Sequence, residues 1–212
     1  MTKCIHFEGI PGSGKTTASE RFCNLLKDHG VDAFWWLEES ADHPIMPQVP
    51  CACLEKKNFP EICLAAWRAF EVPVNRIAVL DGYVLQSTVR FLFANQVKRQ
   101  QIDEYFFSWQ QLAPDSSIVY FTVDDPLEHY EIVFQERGED WTAMLISYVE
   151  KTQFSRVNGL NGKAGFIEFW SGYQDLCIEL LAASHLPVKF IKSRSWNTGD
   201  LEALAVKQCL IS

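Results

Sequence analysis

The chain has 212 residues, 48% hydrophobic and 22% charged, a composition that excludes disordered and collagen-like chains and supports one domain with a substantial core. Nineteen Lys and Arg against 27 Asp and Glu give a net charge of −8, which argues against general nucleic-acid binding and requires any anionic ligand to find a local positive pocket. No apolar run approaches the ~20 residues needed to cross a bilayer, and Met1–Thr2–Lys3 leads straight into a strand-like segment, so neither a membrane span nor a signal peptide is expected. The seven cysteines, at 4, 23, 51, 53, 63, 177 and 209, are odd in number and form no CxxC pair, and they read as reduced thiols of a cytoplasmic protein.

The predicted elements alternate. Lys3–Glu8 is a first strand, and Ala18, Phe22, Leu25 and Leu26 recur at helical spacing within Lys15–His29, which Gly30 closes. Val31–Leu37 is a second strand, with Trp35 and Trp36 facing opposite sides and both counted as core. Glu38–Pro60 holds four prolines and reads as a loop, followed by a helix over Glu61–Val72. Arg76–Leu80 is a third strand ending at Asp81–Gly82, and Tyr83–Gln100 and Ile102–Leu112 read as two helices. Ser117–Val123 is a fourth strand, after which Asp125 caps a helix with Pro126 in its first turn. Glu139–Gln153 is amphipathic, Asn158–Gly165 with three glycines is a turn, and Gly165–His185 is a long helix. Pro187–Lys192 is a fifth strand and Asp200–Leu210 a last helix. This alternation predicts an α/β fold, a five-stranded parallel sheet with helices on both faces, and a ligand site beyond the carboxyl ends of the strands.

Gly9–Ile–Pro–Gly–Ser–Gly–Lys15–Thr16 matches GxxxxGK[ST], with a strand before it and a helix after. Such a loop turns its backbone N–H groups onto phosphates at the positive end of the following helix. The residues assigned to the nucleotide are Gly9, Pro11, Gly12, Ser13, Gly14, Lys15, Thr16 and Thr17. Lys15 reaches the β- and γ-phosphates, and the Thr16 hydroxyl suits Mg²⁺, a hard ion. Asp81, ending a strand, is placed as a second metal residue or a proton acceptor, although an Asp there also suits a helix cap. Glu38 and Glu39 end the second strand, which is expected beside the first, and alternation lets one of the two face the phosphates as a base. Arg137 is the leading lid cation, with Arg156 and Lys163 as further candidates, since phosphoryl transfer needs cations around the migrating group. Arg90, Lys98 and Arg99 read rather as a solvated face. Gln86 and His43 are weaker candidates for an acceptor pocket.

These residues together resemble the thymidylate kinase-like and deoxynucleoside kinase-like branch of P-loop kinases. The resemblance is carried by Phe7–Glu–Gly–Ile–Pro–Gly–Ser–Gly–Lys–Thr–Thr17, Glu38–Glu39, Leu80–Asp81–Gly82, Tyr120–Phe–Thr–Val–Asp–Asp–Pro126 and Glu136–Arg137. It implies ATP with Mg²⁺, Lys15 as phosphate ligand, Thr16 as metal ligand, Glu38 or Glu39 as acceptor-side base, and Arg137 supplied by a lid. The chain has Asp81–Gly82–Tyr83 where thymidylate kinases usually have Asp–Arg–Tyr and deoxynucleoside kinases Glu–Arg–Ser. The expectation is one kinase-like domain over 1–212 with a lid at about 137–165. It would transfer phosphoryl groups to a hydroxyl or phosphate of a small molecule: a nucleoside, a nucleoside monophosphate, a sugar or an antibiotic. A regulatory NTPase and a non-catalytic P-loop binding module are the alternatives. The Asn–Lys–x–Asp element of guanine-specific switches is absent from the sequence. The aromatic stretch Tyr105–Trp109 reads as either core or a homodimer face.

Overall fold

The computed structural model describes residues 4–38, 40, 43, 45 and 58–208. The chain runs β1 (Cys4–Gly9), α1 (Lys15–Asp28), β2 (Ala33–Trp36), α2 (Phe59–Ala69) and β3 (Ile77–Asp81). A π-helical turn over Val84–Val89 then leads into α3 (Arg90–Ala94), followed by α4 (Arg99–Leu112), β4 (Ser116–Thr122) and α5 (Pro126–Arg137). The rest comprises α6 (Glu139–Glu150), α7 (Gln153–Asn158), α8 (Gly162–Ala182), β5 (Val188–Lys192) and α9 (Thr198–Lys207). The five strands form one parallel sheet in the order β2–β3–β1–β4–β5, covered by helices on both faces as predicted.

Strand alternation divides the interior into two cores. Ile5 and Phe7 of β1 pack with Phe22 and Leu26 of α1 and Leu201 and Leu204 of α9. On the other face, Cys4, Leu80 and Tyr120 join Trp109 of α4 and Tyr173 of α8. His6 points to this second face, edge-on to Trp109 with ring centroids 5.2 Å apart and Nε2 3.3 Å from Ser116 Oγ. Burial, with a smaller contribution from His43, holds its pKa down to about 3, so it is a neutral core residue. Tyr105, Phe106 and Trp109 are likewise core, while Phe107 is exposed. Cys4, Cys23, Cys63 and Cys177 are buried thiols outside any disulfide, and Cys51, Cys53 and Cys209 lie outside the described residues. Among the described residues no helix is long and apolar enough to cross a membrane.

Three predicted features are corrected. β2 pairs with β3 rather than with β1, because both edges of β1 are taken by β3 and β4. Tyr83–Gln100 is not one helix: Val97 N–H donates to Leu92 O and Gln96 N–H to Phe93 O, a helix end with Gln96 at φ 51, a left-handed position the sequence fills without a glycine. The predicted turn over 158–165 is shorter, since α8 already begins at Gly162. Gly165 lies inside that helix, and a Cβ there would stand 2.7 Å from the backbone carbonyl carbon of Leu160. Gly165→Ala is therefore expected to destabilise the chain by about 1–3 kcal/mol in urea unfolding, where an open helical site would be stabilised by the same change.

Candidate active site

β1 ends at the point where the chain crosses to opposite sides of the sheet, with β3 on one flank and β4 on the other, and the loop after it opens onto the carboxyl ends of the strands. The loop backbone is held from outside. His129 Nε2 lies 3.2 Å from Pro11 O, and because a carbonyl only accepts, Nε2 carries the proton. Ser193 Oγ donates to Ser13 O at 3.0 Å. Within the loop Ser13 N–H donates to Ile10 O at 3.2 Å, and α1 begins at Lys15, so the N–H groups of its first turn are the ones open to a ligand. Pro11, Gly12, Ser13, Gly14, Lys15, Thr16 and Thr17 all line one cleft of about 790 Å³. Gly9 stays behind it, packed against Ser13 and Phe121. Lys15 is buried in the cleft wall.

The register Phe7↔Asp81 sets the buried Asp81 beside the loop, and Thr16 Oγ1 donates to Asp81 Oδ2 at 2.6 Å. This is a pair of hard oxygen donors of the kind Mg²⁺ takes. Glu38 reaches the same place although β3 separates its strand from β1, because it lies two residues past the end of β2 and lines the cleft with Asp81. Gly82 marks the crossing point: at φ +66, a Cβ on it would stand 3.0 Å from Glu38 Oε2 and 3.1 Å from Lys15 Cε. Burial raises the Glu38 pKa to about 8, opposed by Lys15 and Arg90 and reinforced by Glu8 and Asp81. Glu39 lies outside the described residues.

Leu37, Glu38 and Gln86 line the same cleft, as do Trp141, Met144 and Leu145 from α6. Arg90 is not a solvated charge. Its Nε donates to Gln86 O and one Nη to the Tyr148 hydroxyl, both at 2.5 Å. Arg137 lines the cleft with its guanidinium 5.7 Å from the centre of the Trp141 ring. Arg156 is exposed on α7 and Lys163 lies over Phe134, neither among the residues lining this cleft. His43 is core, stacked on Tyr83 with centroids 5.3 Å apart. Asp125 caps α5 as predicted, accepting from Glu128 N–H at 3.1 Å, and Asp124 pairs with Lys192.

No family model matches the chain, and no curated protein matches it in sequence. Solved structures do match in shape. Thymidylate kinase from Ehrlichia chaffeensis superposes at a TM-score of 0.53 with 16% identity, covering 97% of each chain. Thymidylate kinase from Candida albicans gives 0.55 at 12% identity, over 99% of this chain and 93% of that one. The fold is that of the thymidylate kinases. The YorR protein of Bacillus subtilis, solved with phosphorylated GDP, gives 0.50 at 12% identity, over 98% and 96% of the two chains.

Several site residues were not singled out from the sequence. Arg21, Arg194 and Trp196 also line the cleft, with Arg21 5.6 Å from the centre of the Trp196 ring and Arg194 paired to Glu136 through both terminal nitrogens at 3.2 Å. Arg21 is nearly two turns into a motif-bearing helix, a signal that spacing could have given; Arg194 and Trp196 follow β5 in a segment with no motif. The raised pKa of Glu38 yields a stability test. Below pH 4.5 its carboxyl is neutral in both folded and unfolded chains. As pH rises from 4.5 towards 8 the unfolded chain ionises first and stability is lost, so the melting temperature of Glu38→Gln should gain on that of the wild type across this window and level off above it. A pH-independent difference would contradict the placement of Glu38.

Proposed function

We propose that the chain transfers the γ-phosphoryl group of ATP to a hydroxyl of a small molecule, with a nucleoside as the leading acceptor class. The observation that carries this reading is the Glu38 carboxyl, set beside Lys15 at Gly82 in the cleft that the Thr16–Asp81 pair also lines. The loop amides and Lys15 hold the nucleotide phosphates. Thr16 and Asp81 would hold Mg²⁺, whose charge, when bound, offsets the negative charge on the phosphate oxygens. The acceptor's hydroxyl oxygen attacks the γ-phosphorus, the bond to the bridging oxygen breaks with its electrons leaving on ADP, and the hydroxyl proton passes to Glu38. Arg137 offers positive charge to the migrating group, and α6 with Trp141, Met144 and Leu145 acts as a lid that excludes water.

Thymidylate kinases are named for an acceptor that already carries a phosphate. Here a hydroxyl acceptor is favoured, because the cleft presents the Glu38 carboxyl, and Arg90 is occupied by Gln86 O and Tyr148. The Glu38 carboxyl serves a hydroxyl that must lose its proton, and the charge it gains as pH rises towards 8 disfavours a phosphate beside it.

The test is ADP release from ATP·Mg²⁺ across a panel of nucleosides, nucleoside monophosphates, sugars and aminoglycosides. Nucleosides should accelerate release, and Lys15→Ala should lower the accelerated rate by about 10²-fold or more with the fold intact. Asp81→Asn should lower the rate and weaken its dependence on Mg²⁺ concentration. The wild-type rate should rise with pH towards about 8 as Glu38 loses its proton, a limb that Glu38→Gln removes while lowering kcat by about 10²-fold or more. Acceleration by monophosphates alone would overturn the hydroxyl reading. A flat panel with tight nucleotide binding would return the chain to the switch or binding-module class.

A further inference from the structure

Glu8, immediately before Gly9, is completely buried on the sheet face opposite α1 and is not among the residues lining the cleft. Its two oxygens accept three consecutive backbone N–H groups: Oε1 from Val84 at 2.6 Å and Leu85 at 3.1 Å, and Oε2 from Gln86 at 3.0 Å. These are the first amides of the helical segment that begins at Val84 and continues through Ala94, groups with no partner inside their own helix. A carboxylate is the ligand such a helix start prefers, and its hydrogen bonds to three amides offset much of its burial cost. Burial raises its pKa to about 7 against the pull of these amides and of Lys15. The carbonyl of Gln86 is held in turn by Arg90. The Gln86 backbone is thus fixed on both sides, its N–H by β1 and its C=O by a side chain anchored on α6 through Tyr148, and its side chain projects from this point into the acceptor side of the cleft.

We propose that Glu8 is a positioning residue for the acceptor: it holds the helix start so that Gln86 meets the bound acceptor in a fixed orientation, without touching either substrate. This rests on the kinase reading above for the acceptor's presence, but not for the hydrogen bonds. Glu8 lies against the phosphate loop yet spends its oxygens on the other wall, so its loss should act on acceptor binding far more than on nucleotide binding.

The test compares Glu8→Gln, Gln86→Ala and the double variant with the wild-type chain. Amide hydrogen exchange at Val84, Leu85 and Gln86 should quicken by about tenfold or more in Glu8→Gln, the scale of a lost charge-assisted hydrogen bond. The Kd of a non-hydrolysable ATP analogue with Mg²⁺ should stay within about threefold of wild type, because the loop is held by His129 and Ser193 instead. With the nucleoside that the panel identifies, KM should rise about tenfold in Glu8→Gln and in Gln86→Ala, with kcat little changed, and the double variant should be no worse than either. Equal loss of nucleotide and acceptor affinity, additive effects in the double variant, or unchanged exchange at the three amides would each overturn the proposal. If the panel is flat, the kinase reading falls, and the exchange and analogue measurements alone decide whether Glu8 holds this turn independently of the loop. If Glu8→Gln does not fold, Glu8→Asp, which keeps the charge but shortens the reach by one methylene, takes its place with the same expected outcomes.

Discussion

Phe7, Glu8 and Gly9, the last residues of β1, hold three different parts of the cleft. The Phe7 carbonyl accepts from Gly82 N–H at 2.8 Å, which ties down the chain just past Asp81. The Glu8 carboxylate takes the helix start that carries Gln86. Gly9 turns into the loop. This works only because β1 is central, with β3 and β4 both bonded to it along their length. A displacement of β1 would move the loop, Asp81 and the segment carrying Gln86 together, so the cleft's rigidity is that of the sheet centre rather than of any loop.

The cleft concentrates charge. The chain carries a net charge of −8, yet Lys15, Arg21, Arg137 and Arg194 all line this cleft together with the start of α1, whose own dipole has the same sign. The acids are interleaved with them: Asp81 bonds to Thr16 of the loop, and Glu38 stands beside Lys15 at Gly82. Such an arrangement attracts an anion while keeping basic oxygen atoms within reach of it. Arg194 is held by Glu136 at the end of α5, so part of the positive charge is already tied to the element that leads into α6.

Much of this was legible in the residues. The strand–loop–helix around Lys15 has a local signature, because phosphate binding needs glycines, a lysine and a hydroxyl at fixed spacing, and Asp125 declares its cap through Pro126 beside it. What escaped depends on contacts between distant segments. That β2 lies beyond β3 follows from which edges of β1 are filled, and no local pattern records it. The break at Gln96 uses a residue with no special preference for the left-handed region. Gly165 looked like a turn residue and proved to be a contact residue. Glu8 sat inside a recognisable motif, but its task is set 76 residues away, at Val84. Arg90 shows the same limit: a helical arginine reads as solvated until the partner helix that supplies Tyr148 is placed.

Gly82 bears on how such a chain can change over generations. The kinases its motifs resemble usually carry arginine at this position, and here the backbone is left-handed with Glu38 and Lys15 pressed against the space where a side chain would begin. A lineage moving between the two forms cannot exchange this residue alone, since the newcomer would meet a strained backbone and displace both the lysine and the acid. Any side chain placed at 82 therefore calls for Glu38 and Lys15 to shift with it.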